Sequence, residues 1–178
     1  MTDHFQRLGL KAHVDLDVAA LEARHRELAL VHHPDRQSPG DAKARLRAAE
    51  ETASLNEALK TLKDPVRRGV YLLKLHGVDL EKDEAGGSSK LPPGFLADIL
   101  EQREALDDAR AAKDLEKVQA LARAIHDRQA RTLEAAKAAL RQLPAADAIA
   151  AATPLLAQLK YFTRFLEEVD AIEEEALG

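Results

Sequence analysis

Residues 17–65 read DVAALEARHRELALVHHPDRQSPGDAKARLRAAEETASLNEALKTLKDP. Asp17 has the short acceptor side chain that caps a helix N-terminus, and Leu21, His25, Leu28, Ala29 and His32 follow at helical spacing on one side. The spacing predicts a helix from Asp17 to about His32. Pro34, Pro39 and Gly40 then break the pattern, so His33 to Gly40 is a loop. Helical periodicity resumes from Asp41 to Lys63, with Leu55, Leu59 and Leu62 on the buried side. It stops ahead of Asp64-Pro65, because the residue before a proline is steered out of the helical region. Two long helices joined by one loop form an antiparallel hairpin.

The flanks extend this reading. A short helix over Asp3–Leu8 ends at Gly9, and another over Pro65–His76 ends at Gly77, a suitable left-handed cap. Beyond them lies Asp83-Glu84-Ala85-Gly86-Gly87-Ser88-Ser89-Lys90-Leu91-Pro92-Pro93, flexible first and then unable to continue a helix. The domains are therefore read as 1–80 and 94–178, with a linker at 81–93. The second part predicts helices over 94–111, 114–142 and 146–176. Leu115, Val118, Ala122, Ile125, Leu133, Ala136 and Leu140 stripe the middle helix, and Leu155, Leu159, Phe162, Leu166 and Val169 stripe the last. Pro154 either kinks the last helix or starts it afresh. Short turns between three such helices give an antiparallel three-helix bundle.

Composition agrees with an all-α fold. The 178 residues include 34 alanines and 28 leucines but only six aromatics and 12 valines plus isoleucines, too few β-branched and aromatic side chains to fill pleated surfaces. The absence of cysteine rules out disulfides, thiolate metal or cluster ligation and a cysteine nucleophile, and it fits a reducing cytoplasm. No apolar run approaches the roughly 20 residues that span a bilayer, and Met1 to Leu10 lacks a signal-peptide layout. A net charge of −5, divided as +1 over residues 1–80 and −6 over 81–178, argues against nucleic-acid binding. There is no HExxH pair and no nucleotide-binding glycine loop, and the adjacent His32 and His33 cannot share a helix face. The expectation is a cytoplasmic protein without catalytic residues, cofactor or metal, and without a membrane or nucleic-acid partner.

The sharpest local signal is His33-Pro34-Asp35, an imidazole and a carboxylate on an exposed proline turn, suited to charge-assisted recognition. The plain reading is a turn between two helices. Downstream stand Asn56-Glu57-Ala58, Leu62-Lys63-Asp64-Pro65, Arg67, Arg68 and Tyr71, and upstream Phe5 to Gly9. Together these residues resemble a J-domain, the module by which co-chaperones engage DnaK-type ATPases, over about residues 2–77. An acidic helical tail follows Leu72-Leu73-Lys74-Leu75-His76-Gly77, with no glycine/phenylalanine-rich or cysteine-rich region. The whole chain thus resembles the HscB family, J-type co-chaperones of iron–sulfur cluster assembly.

The resemblance implies that the first domain stimulates an HscA- or DnaK-type chaperone ATPase, with Asp35 meeting a chaperone arginine. His33 and Pro34 would present it, and Arg26 and Arg36 would add attraction. Glu22, Glu27 and Leu30 dilute the neighbouring basic face, which leaves the choice between HscA and DnaK open. His25 and His32, where J-domains often carry aromatics, read as core or half-buried packing residues.

It also implies that the second domain binds the cluster scaffold protein IscU. Phe95-Leu96-Ala97-Asp98-Ile99-Leu100-Glu101-Gln102-Arg103-Glu104-Ala105-Leu106 is similar to the family's scaffold-binding helix, and Gln158-Leu159-Lys160-Tyr161-Phe162 to its partner segment. On a helical wheel Phe95, Ile99, Gln102 and Leu106 share one stripe, and Leu96 and Leu100 point about 100° away, with Arg103 between. A helix facing two neighbours needs a broad apolar arc, so periodicity leaves core and surface roles open for the two leucines. Tyr161 and Phe165 also lie off their stripe, which suggests an exposed aromatic anchor. The expected scaffold contacts are Leu96, Leu100 and Tyr161, flanked by Glu101, Arg103 and Glu104, converging if the first and last helices of the bundle pack antiparallel. A generic J-domain co-chaperone with another client is the nearest alternative.

Overall fold

The computed structural model describes residues 2–33, 41–82 and 90–177. Among them there are seven helices and no strands: α1 (His4–Arg7), α2 (Val18–Val31), α3 (Ala42–Lys63), α4 (Pro65–Leu75), α5 (Phe95–Ala111), α6 (Leu115–Leu140) and α7 (Ala146–Leu177). The chain separates into two compact units, Met1–Leu72 and Leu73–Gly178, and the division falls within α4.

Helix boundaries in the first unit are set by aspartates. Asp3 accepts from the Gln6 amide at 2.8 Å while the Gln6 side chain accepts from the Asp3 amide, a reciprocal capping box. Asp17 accepts from the amides of Ala19 and Ala20 to start α2, and Asp41 from Ala44 to start α3. At the end of α4, Gly77 takes a left-handed φ of +87°, while Val78 N–H donates to Leu73 C=O and Gly77 N–H to Lys74 C=O. That is the Schellman arrangement glycine permits.

Glu22 pairs with Lys63, His25 Nε2 lies 2.9 Å from Asn56 Oδ1, and Thr52 Oγ1 lies 3.3 Å from the His32 carbonyl. Rising numbers on α2 meet falling numbers on α3, so the two helices form the expected antiparallel hairpin. Phe5, Leu8, Val14, Leu21, Leu55, Ala58, Leu62 and Leu72 are buried in this unit. Leu59, His25 and His32 are half-buried. Tyr71 on α4 stacks on His4, with ring centroids 4.4 Å apart, and accepts from the His4 amide, which fastens α1 to α4.

Arg68, only 5% exposed, is the exception in this core. Its Nε and Nη1 atoms are buried with no hydrogen-bond acceptor among the described residues. Burial pulls its pKa down, and the charges of Asp15 and Asp64 oppose the shift only in part.

In the second unit α6 and α7 form the most extensive pairing, and α5 packs on both. The 26 residues of α6 make a rod about 40 Å long. Helix α7 runs unbroken through Pro154, so the restart at that residue does not occur. Around it the Thr153 hydroxyl donates to Ile149 C=O and the Gln158 side-chain amide donates to the carbonyl of Pro154 itself. From Leu156 to Ile172 the buried side chains of α7 sweep about 260° of its circumference, because it faces two helices. Phe165 falls inside that arc and is fully buried, which corrects its reading as an exposed anchor. Leu115, placed by periodicity on the buried stripe, is 40% exposed, because it is the first residue of α6 and lies at the end of the bundle.

Two measurements test this description. Removing a buried charge in favour of an apolar chain of similar length is often neutral or stabilising, whereas truncation leaves a cavity. Arg68→Met should therefore melt at or above the wild-type temperature, and Arg68→Ala should lose roughly 2–5 kcal/mol in denaturant titration. In the hairpin, the Lys63 ammonium 2.6 Å from Glu22 holds that carboxyl below its usual range, with a smaller pull from Arg26. The pair stabilises the fold above the ordinary carboxylate pKa, and the contribution disappears as pH falls through the lowered one. Lys63→Ala should raise the Glu22 pKa toward the ordinary value in an NMR titration.

Candidate functional site

Helix α2 carries the chain to the tripeptide singled out by sequence. It ends at Val31, and the His32 amide donates to Leu28 C=O at 3.0 Å. The Thr52 hydroxyl lies within hydrogen-bond distance of the His32 and Ala48 carbonyls and so ties the exit of α2 to α3. His33 is exposed at this exit. Pro34, Asp35 and Arg36 lie outside the described residues. Arg26 is exposed on α2, whereas Arg24 is engaged by Glu27 at 2.7 Å. Leu30, Val31 and Leu46 are 55–62% exposed on either side of the loop; the sequence reading noted Leu30 only as diluting the basic face and did not pick out Val31 or Leu46, which lie outside the hairpin's buried stripe.

On α5 the geometry separates two faces. Phe95 is 6% exposed, Ile99 4% and Leu106 1%, whereas Leu96 is 41% and Leu100 58% exposed. The question left open by periodicity is thereby decided: Leu96 and Leu100 stand one turn apart on the outer face. Glu101 and Glu104 are exposed beside them, and Arg103 shares the face with the two leucines within about 60°.

Helix α7 supplies the adjoining wall. Tyr161 is half-buried and meets Phe95 edge-on at 5.8 Å, and Phe95 meets Phe162 in the same manner at 5.6 Å. Arg128 on α6 lies over the Phe162 ring at 5.1 Å and pairs with Asp98 at 2.6 Å, so one guanidinium ties all three helices beneath the leucines. Further along, Arg103 pairs with Glu168 and Arg110 with Glu175, the latter bidentate with respect to the carboxylate at 2.7 and 2.8 Å.

These pairs define direction and register. Both ion pairs are 65 residues apart in sequence, and the numbers rise together on the two helices. The first and last helices of the bundle therefore run parallel, not antiparallel as the convergence argument assumed. An up-down-up bundle leaves no other arrangement for its outer helices. The same offset sets Tyr161 level with Leu96, so the two still share one end of the seam.

Sequence reasoning did not find Arg128, Asp98 or Glu168. The available signal was that Leu96, Arg103 and Arg110 recur at seven-residue spacing, as do Tyr161, Glu168 and Glu175. Among the described residues no cluster of three or more His, Cys, Asp or Glu side chains could hold a metal ion, and no helix is long and apolar enough to cross a membrane.

Comparison with known proteins bears on both units. Residues 3–71 match the DnaJ domain family, and residues 91–170 match the family described as the HSCB C-terminal oligomerisation domain. The chain is 37% identical over 169 residues to the co-chaperone protein HscB homolog of Burkholderia multivorans, covering 94% of this chain and 92% of that one. A Burkholderia cenocepacia homolog is 36% identical with the same coverage. The structure is similar to that of the chaperone HscB from Vibrio cholerae, with a TM-score of 0.80 at 28% identity over 98% of this chain and 99% of that one. It is also similar to human co-chaperone protein HscB, with a TM-score of 0.83 at 25% identity over 96% and 82% of the two chains. With a helical hairpin, the sequence His33-Pro34-Asp35 between its two helices, a three-helix bundle, and identity sustained over nearly the full length of its relatives, the chain belongs to the HscB family of J-domain co-chaperones.

Proposed function

We propose that this co-chaperone delivers an IscU-type iron–sulfur cluster scaffold to an HscA/DnaK-type chaperone and stimulates the chaperone's ATPase. In this reading Asp35 makes the principal contact with an arginine of the ATPase, His33 and Pro34 present it, and Arg26 and Arg36 add attraction. The scaffold binds Leu96, Leu100 and Tyr161, with Glu101, Arg103 and Glu104 around them. The observation that carries the reading is the exposure of Leu96 and Leu100 on a helix whose opposite apolar face is already satisfied. Two leucines one turn apart, 41% and 58% exposed beside a half-buried tyrosine, have the character of an interface hot spot. The lack of cysteine suits a reducing cytoplasm and a protein that handles a scaffold without ligating its cluster through thiolates.

Two variants test the two halves. Asp35→Asn should reduce stimulation of the chaperone ATPase by about tenfold or more, as loss of one member of a buried charge pair does, while scaffold binding persists. Stimulation close to wild type would remove Asp35 from its assigned role. Leu96→Ala/Leu100→Ala should weaken scaffold binding by at least about tenfold, which is ~1.4 kcal/mol. Its melting temperature should stay near wild type, because neither leucine is a core residue. Core leucines would instead cost roughly 2–5 kcal/mol of stability each, so calorimetry alongside the binding assay separates the cases.

A further inference from the structure

The scaffold reading uses one face of α5, yet Arg103, on that face, is held by a residue of α7. Glu168 takes one guanidinium nitrogen of Arg103, Nη2, in an ion pair whose side chains are 40% and 47% exposed. The seam position is specific. Arg103 lies seven residues after Leu96, and Glu168 seven after Tyr161, so this ion pair is the rung directly beside the Leu96–Tyr161 level. The next rung, Arg110–Glu175, repeats it in the same 65-residue register but a further two turns from the leucines.

An unrestrained arginine populates many rotamers, and a partner must stop that motion before it can use the guanidinium. Here a carboxylate already fixes it at one end. A planar guanidinium carries five N–H donors, and a single carboxylate oxygen on Nη2 leaves donors on the other side free for a second acceptor. We propose that Glu168 is a positioning residue of the scaffold-binding surface: it holds the Arg103 guanidinium at the edge of the leucine patch, ready to donate to a carboxylate or backbone carbonyl of the scaffold. The proposal rests on the reading that Leu96, Leu100 and Tyr161 form that surface. It adds a residue of α7 that touches the partner only through Arg103, and it assigns hydrogen-bond acceptor chemistry to the partner atoms opposite.

The test is a double-mutant cycle on the full chain, with binding of purified IscU-type scaffold measured by calorimetry and each variant melted in parallel. Glu168→Gln should weaken binding about fivefold, the upper range for an exposed ion pair, with an unchanged melting temperature. In an Arg103→Gln background the same substitution should change binding by less than about twofold, because Glu168 acts through Arg103. Glu175→Gln, which breaks the equivalent pair away from the leucines, should leave binding within about twofold of wild type. Glu168→Asp should recover part of the loss. Wild-type or tighter binding by Glu168→Gln would overturn the proposal and make Glu168 a bystander or a competitor for Arg103. Additive losses in the cycle would overturn it as well, and so would an equal loss in Glu175→Gln, which would make both pairs generic seam contacts. If Glu168→Gln binds normally while Leu96→Ala/Leu100→Ala does not, only the role of Glu168 fails. If the leucine variant also binds normally, the surface itself is misassigned and the proposal falls with it.

Discussion

The width of the apolar face of α7 is the constraint on which the second unit depends. Its buried side chains from Leu156 to Ile172 span about 260°, more than one helix can cover, so pairing with α6 alone would leave Phe165, Val169 and Ile172 partly in water. Helix α5 completes the cover with Phe95, Ile99, Leu106 and Ala109. A helix recruited to fill the remaining edge of a hairpin buries a narrow stripe and keeps its other apolar residues outside. That is why a helix with three leucines and one isoleucine presents Leu96 and Leu100 to solvent. The exposed patch follows from how little of α5 the hairpin requires.

Apolar burial by itself does not choose how far α5 slides along α7. Directional contacts do so: the edge-on rings of Phe95, Tyr161 and Phe162 at one end, Arg128 bridging Asp98 and Phe162 in the middle, and the Arg103–Glu168 and Arg110–Glu175 rungs beyond. Surface ion pairs of this kind stabilise a fold only slightly. Their effect here is on register, because a shift of α5 by one turn would break both rungs and move Leu96 away from the level of Tyr161. Register thus comes from directional contacts, whereas exposure of the patch comes from the narrow apolar stripe that α5 buries.

The first unit uses a different economy of contacts. Its helices begin at aspartate caps and are held in place by contacts remote in sequence, such as Tyr71 with His4, Arg7 with Glu51, and Thr52 with the end of α2. These fix the point at which the chain leaves α2 toward His33-Pro34-Asp35. The exposed Leu30, Val31 and Leu46 flank that exit, so its surroundings carry exposed apolar side chains.

Most of the architecture was legible from local chemistry. Asp17, Asp41, Pro65, Gly77 and the leucine periodicity located the helices to within a residue or two, because capping and backbone restriction act over a few residues and leave a local signature. Local chemistry made His33-Pro34-Asp35 legible only as a turn, and its role and that of its downstream companions came from their resemblance to a J-domain. Roles that depend on two neighbours at once were not. Periodicity treats a helix as having one buried side and no ends, so it misplaced Phe165, which faces a second helix, and Leu115, the first residue of α6 at the end of the bundle. It could not decide between core and surface for Leu96 and Leu100, since both readings share the same wheel positions. The seven-residue recurrence of Leu96, Arg103 and Arg110, and of Tyr161, Glu168 and Glu175, was present in the chain throughout. It acquires meaning only when α5 and α7 lie parallel with a 65-residue offset, and that offset is set by aromatic and ionic contacts between residues far apart in sequence. The helices were therefore determined by the sequence through short-range chemistry, while the side of α5 left exposed and the carboxylate that meets Arg103 were decided only by tertiary packing.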